Sequence, residues 1–144
     1  MVQKLCCSQL EGAQSTPQQN CQSKALFLKT PRQRLGRAAE DLAARHLQKQ
    51  GFAIAARNYR HQRAEVDLIV QKDTLLLFVA VKARSSDQFG YPEEFVSALQ
   101  QERLQEAAEH YIVEHNWRGA IRFDVVAVYT GGSPWEVAHF EDAF

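Results

Sequence analysis

Two stretches of β-patterned sequence stand only four residues apart. Ala64-Glu65-Val66-Asp67-Leu68-Ile69-Val70 places a residue of strand propensity at most positions, and Leu75 to Arg84 runs almost continuously apolar before Lys82 and Arg84. Between them lie Gln71-Lys72-Asp73-Thr74, so the two runs read as strands joined tightly through Lys72 and Asp73. A hairpin of this kind restricts where charged side chains go. Successive side chains point to opposite sides of a strand, which puts Glu65 and Asp67 on one face and Ala80 and Lys82 together on the partner strand.

The flanking sequence switches to a helical period. Thr30 and Pro31 suit the N-cap and first position of a helix reaching about Gln50, with Leu35, Ala38, Ala39, Leu42, Ala43 and Leu47 as its apolar stripe and Gly51 as its left-handed end. A strand follows from Phe52 to about Asn58, and then the hairpin. After a loop holding Phe89, Gly90, Tyr91 and Pro92, a second helix is expected from about Pro92 to His115. Its inner side is read as Phe95, Val96, Leu99, Leu104, Ala107, Ala108, Tyr111 and Ile112. Ile121 to Tyr129 reads as a strand buried on both faces, and Trp135 to Phe140 as a shorter last strand. The order α-β-β-β-α-β-β predicts an α/β domain with a mixed central sheet flanked by helices. Residues 1–28 read as a flexible tail, because residues 8–24 carry too little apolar surface to offset the cost of ordering them; the domain is expected to cover 29–144.

The 144 residues carry no net formal charge, yet the charges are sorted along the chain. Residues 22–65 hold ten Lys or Arg against three Asp or Glu, a net of +7, and residues 66–144 a net of −7. A positive field of this kind suits phosphate backbones, although a basic face solvated against an acidic one produces the same tally. Arg57, Arg60, Arg63 and Arg84, interleaved with Tyr59 and His61, are the candidate nucleic-acid contacts. Cys6, Cys7 and Cys21 all precede the first periodic segment and number three, which argues against a closed disulfide framework. With no apolar run of 18 residues and no signal-peptide pattern, the expectation is a cytoplasmic protein without a membrane partner. The five histidines show no metal-ligand spacing and are assigned no role.

Hydrolysis of a phosphodiester uses a divalent cation to polarise the phosphoryl oxygen and to lower the pKa of an attacking water. Mg²⁺ takes hard oxygen ligands, often only one or two carboxylates, and a neighbouring lysine stabilises the charge that develops. Asp67 and Lys82 are two such parts, and Glu40 is a third if the first helix lies over the sheet. The second acid expected two residues before Lys82 is absent; the residue there is Ala80.

Gly36-Arg37-Ala38-Ala39-Glu40-Asp41-Leu42-Ala43, Gly51-Phe52, Arg57-Asn58-Tyr59-Arg60, Ala64-Glu65-Val66-Asp67-Leu68-Ile69, Phe78-Val79-Ala80-Val81-Lys82-Ala83-Arg84, Arg122 to Val128 and the terminal Asp142-Ala143-Phe144 occur in this order and spacing. From about residue 34 to the end, the chain resembles the YraN family of bacterial proteins. The resemblance implies a fold like that of restriction endonucleases and archaeal Holliday-junction resolvases, the PD-(D/E)xK nucleases. It assigns Glu40 to the first-helix acid, Asp67 to the motif aspartate, Lys82 to the motif lysine and Glu65 to an accompanying acid, with Asp67 and Glu40 as the implied Mg²⁺ ligands. Ala80 stands where the family has the glutamate of its EVK triplet, Gln100 where many members have a lysine, and Ala64 in place of a glycine. The reading that follows is a nuclease-fold protein that binds nucleic acid, DNA before RNA, with weak or no hydrolysis. Two alternatives stay open: an active Mg²⁺-dependent endonuclease using Asp67, Glu65, Glu40 and Lys82, and a protein-interaction module on an inactivated nuclease fold. A homodimer is compatible with each.

Overall fold

The computed structural model describes residues 30–85, 94 and 96–144. It contains helix α1 (Pro31–Lys49), strands β1 (Ala53–His61), β2 (Ala64–Lys72) and β3 (Leu75–Arg84), helix α2 (Ala98–Glu114), and strands β4 (Ala120–Tyr129) and β5 (Glu136–Phe140). The expected element order is the observed one. The strands form a single sheet in chain order, antiparallel throughout except where β3 and β4 run parallel. That parallel step follows from α2, since a helical crossover returns the chain to the edge it left in the same direction. The compact unit spans Leu35–Phe144, and the preceding unit, through Arg34, is described only from Thr30. The expected tail and the loop at Phe89 to Pro92 lie outside the described residues, as do the three cysteines and Phe95.

Local chemistry sets the helix ends. The Thr30 hydroxyl accepts from Gln33 N–H at 3.3 Å while the Gln33 side chain accepts from Thr30 N–H at 3.0 Å, a reciprocal cap with Pro31 as the first helical residue. Gly51, at φ 95°, closes α1: its own N–H donates to Gln48 and that of Phe52 to Leu47. Asn116, at φ 48°, closes α2 with the same pair of bonds, from Asn116 to Val113 and from Trp117 to Ile112. The start of α2 differs from expectation. The helix begins at Ala98, because Ser97 and Gln100 form a capping box there. β1 also runs three residues past Asn58, which takes a left-handed φ of 50° inside the strand, a conformation asparagine tolerates better than most residues.

Each face of the sheet has its own core. α1 inserts Ala39, Ala43, Ala44 and Leu47 against Leu68, Val70, Leu77, Val79, Val126 and Val128. On the other face Leu104, Ala107, Ala108 and Tyr111 of α2 cover Val66, Ile69, Phe78, Ala80, Val125 and Ala127. The run Asp124 to Tyr129 is buried throughout, as a central strand covered on both sides requires. Four positions expected to be buried are not: Leu99 is 55% exposed and Leu35 38%, each at the start of its helix, Ala38 is exposed on α1, and Ile121 at the start of β4 is 43% exposed. Strict alternation also fails in β2. Val66 and Ile69 enter one core and Leu68 the other, so the strand changes facing parity at Asp67.

Candidate functional site

That parity change is where β2 leaves β3. The ladder between them runs from Lys72↔Leu75 to Leu68↔Val79 and no further, although β3 continues beside β4 to Arg84. The Val81 N–H therefore has no β2 carbonyl to meet. The Asp67 carboxylate takes its place, accepting that N–H at 2.7 Å. A buried backbone donor must be satisfied, and here a side chain of the departing strand satisfies it.

Beyond the split opens a cavity of about 240 Å³. Glu65 and Asp67 of β2, Ala80 and Lys82 of β3, Arg63 from the β1–β2 turn, and Gln100 and Arg103 of α2 line it, with Val96 and Leu104 as its apolar wall. Three of the four residues expected at the catalytic position, Glu65, Asp67 and Lys82, thus share one cavity with Ala80 among them. Glu40 is not among the residues that line the cavity. It sits on α1, where it accepts from Asn58 Nδ2 at 3.2 Å, and of the charged side chains acting on Asp67 its effect is the largest. Burial raises the Asp67 pKa to about 6; the Val81 N–H and Lys82 oppose the rise, while Glu40 and Glu65 add to it. The carboxylate's direct partner is Val81 N–H, and the attraction of Lys82 does not offset burial.

Among the described residues no group of three or more His, Cys, Asp or Glu side chains stands close enough to hold a metal ion. At the cavity the Ala80 methyl, 4% exposed, offers no donor.

The basic residues divide into two sets. Arg57 is held by Asp41 at 2.6 Å and Arg60 by Glu65 at 3.2 Å, both exposed pairs. Arg84 lies exposed at the end of β3, where its carbonyl accepts from Thr130. Arg63, Lys82 and Arg103 face the cavity, and among the described residues none of the three is in an ion pair. Sequence reading missed Arg103. Its only signal is its position one helical turn beyond Gln100. Tyr59 is not free to stack on a base: its ring packs edge-on to Tyr111 at 5.1 Å, and its hydroxyl donates to Glu114 at 2.9 Å and lies 2.6 Å from His110 Nδ1.

Ninety residues, 39–128, match the model of "Uncharacterised protein family UPF0102". The chain belongs to the UPF0102 family. It is 42% identical over 110 residues to a UPF0102 protein of Flavobacterium psychrophilum, an overlap covering 76% of this chain and 92% of that protein. It is likewise 46% identical to one from Anaeromyxobacter dehalogenans, over 78% and 85% of the two chains, and 39% identical to one from Desulforapulum autotrophicum, over 81% and 98%.

A second polar centre of this UPF0102 chain lies in β4 and was not read from the sequence. Asp124 is fully buried and accepts from Arg122 Nε and Nη2 at 2.8 Å each, from Asp142 N–H at 3.1 Å, and shares a 2.7 Å hydrogen bond with His139 Nε2. Burial pushes its pKa up, but His139, Arg122 and the Asp142 N–H outweigh that and hold it below the ordinary carboxylate range. His139, assigned no role from spacing, therefore has a structural one. Together with Ala143 N–H donating to Phe123 and Phe144 stacking on Phe123, these bonds fasten the C-terminal residues to β4. Among the described residues no helix is long and apolar enough to cross a membrane.

Proposed function

We propose that this chain is a nucleic-acid-binding protein on a restriction-endonuclease-like sheet, with an altered PD-(D/E)xK site that hydrolyses weakly or not at all. One observation carries the reading: Asp67, Glu65 and Lys82 meet in a single cavity where β2 and β3 part, and unpaired Arg63 and Arg103 flank them. Clustered cations without carboxylate partners favour phosphate, whose negative charge supplies the missing counterion. Ala80 occupies the position from which a second carboxylate would join Asp67. Without a carboxylate at position 80, the acids lining the cavity are Asp67 and Glu65, the latter engaged by Arg60, and that weakens the hold on a divalent ion. Lys82 and the arginines orient the strand, and Asp67, titrating near 6, holds or yields a proton beside it.

DNA is the preferred partner, and binding is weakly sequence-specific, since contacts to phosphate carry no base information. The test is titration of labelled branched and linear DNA by the whole chain at rising salt. Affinity is expected to fall by orders of magnitude between about 50 and 200 mM salt if several phosphates are contacted. A flat salt response, or no binding at low salt, would sink the reading and leave the protein-interaction module. The coupling of Glu40 to Asp67 favours one second reading, a working Mg²⁺-dependent endonuclease using Asp67, Glu65, Glu40 and Lys82. Mg²⁺-dependent cleavage by the unmodified chain that disappears in Asp67→Ala would establish it.

A further inference from the structure

The chemistry of the cavity narrows what part of a nucleic acid enters it. Its volume, about 240 Å³, compares with ~30 Å³ for a water's share of the liquid and ~300 Å³ at the small end of drug-sized pockets. That is room for a phosphoryl group and the sugar bearing it. A base is disfavoured, because sites that take an unstacked base sandwich it between aromatic or apolar faces, and no aromatic ring lines this cavity among the described residues. Apart from Ala80, Val96 and Leu104 the wall is polar, with three cations and two carboxylates.

The three cations come from three different elements: Arg63 from the β1–β2 turn, Lys82 from β3 and Arg103 from α2. Convergence of this kind surrounds one anion; cations tracking a continuous backbone would lie in a row. The three cations outnumber the two carboxylates that line the cavity, and one of these, Glu65, is also engaged by Arg60. The positive charge is therefore in excess. An internal phosphodiester carries a single charge and has two of its oxygens esterified. A terminal phosphate monoester carries about −1.5 to −2 at neutral pH and presents three acceptor oxygens, one for each converging cation.

We infer that the cavity is a receptor for the terminal phosphate of a nucleic-acid strand, gripped by Arg63, Lys82 and Arg103. This rests on the nucleic-acid reading above and names the part of the strand that the cavity takes. Terminal phosphate occurs at either a 5′ or a 3′ end, and the same three cations serve both. Arg63 and Arg103 are exposed, so replacing either leaves the core intact.

The test uses the full chain in EDTA and internally labelled single-stranded oligonucleotides of one sequence, bearing a 5′-phosphate, a 3′-phosphate or hydroxyls at both ends. Anisotropy titrations are expected to show one phosphorylated end bound about tenfold more tightly than the hydroxyl oligonucleotide, the scale of a charge-assisted contact. Which end is preferred identifies the strand polarity. Arg103→Gln and Arg63→Gln are each expected to bring that ratio close to one, with Arg103→Lys retaining part of it. Equal affinity of all three oligonucleotides for the unmodified chain would overturn terminal recognition while leaving nucleic-acid binding in place. No binding of any of them would overturn both. A phosphate preference that survives both arginine substitutions would place recognition elsewhere and overturn the assignment to this cavity.

Discussion

Replacing Asp67 with asparagine is expected to stabilise the fold at neutral pH, against the usual sense of substitutions in a partly buried position. The Asp67 carboxyl titrates near 6 instead of 3.8, first because it is buried and then because Glu40 and Glu65 face it. A carboxyl whose folded pKa lies above its unfolded one binds a proton more tightly in the folded state. Its ionised form therefore costs stability above about pH 6, and the cost disappears below about pH 4, where both states are protonated. A shift of about two units at ~1.36 kcal/mol each sets the cost at neutral pH near 3 kcal/mol. Asparagine is uncharged at every pH and keeps a carbonyl oxygen for the Val81 N–H, so the substitution removes the charge and preserves the bond that closes the strand split. Guanidinium unfolding of the parent and Asp67→Asn chains should be compared at several pH values. The variant is expected to be the more stable by ~3 kcal/mol at about pH 7.5, with the difference shrinking through pH 6 toward zero at about pH 4. A variant less stable at neutral pH, or a difference that ignores pH, would refute the account of Asp67 as a buried acid whose ionised form costs stability.

Other outcomes follow from the same geometry. Asp124→Ala is expected to lose about 3–5 kcal/mol, because Arg122 and His139 are left without their buried acceptor; a loss under about 1 kcal/mol on chemical denaturation would contradict this. Since its folded pKa is depressed, the stability Asp124 contributes is complete above the unfolded value near 4 and fades as pH falls through the lower folded one, which acid unfolding of the parent against Asp124→Ala will show. Ala80→Glu places a second carboxylate beside Asp67 and is expected to raise Mg²⁺ affinity, read by calorimetry, and to bring measurable cleavage of DNA, both abolished by Asp67→Ala; unchanged Mg²⁺ binding would show that position 80 does not face the acid. Deleting residues 1–28 is expected to leave Tm within a few degrees of the parent, and a larger fall would place part of that segment in the domain's packing.

Much of the architecture was legible because it is governed by local periodicity. Helix α1 could be placed nearly to the residue, since Thr30, Pro31 and Gly51 each satisfy a specific end requirement within a few residues of chain. The β2–β3 hairpin was equally legible, because an apolar run on either side of a four-residue gap has few other ways to bury itself. So was the meeting of Glu65, Asp67, Ala80 and Lys82, although alternation alone does not explain it, since β2 changes parity at Asp67.

What tertiary structure decided is which charges are already spent. Arg57, Arg60 and Arg63 look alike along the chain. Only the fold brings Asp41 to the first and Glu65 to the second, and turns the third, with Arg103 of a helix forty residues on, toward a shared cavity. The Asp124 centre was invisible for the same reason: Arg122 is two residues away in sequence, but His139 and Asp142 reach the carboxylate only because β5 folds back beside β4. The Asp67 bond to Val81 is likewise nonlocal, existing because two strands part at that level of the sheet. A period of side chains belongs to one segment and can be read from it. A charge's partner and its dielectric surroundings belong to several segments at once, and those are set when the chain closes on itself.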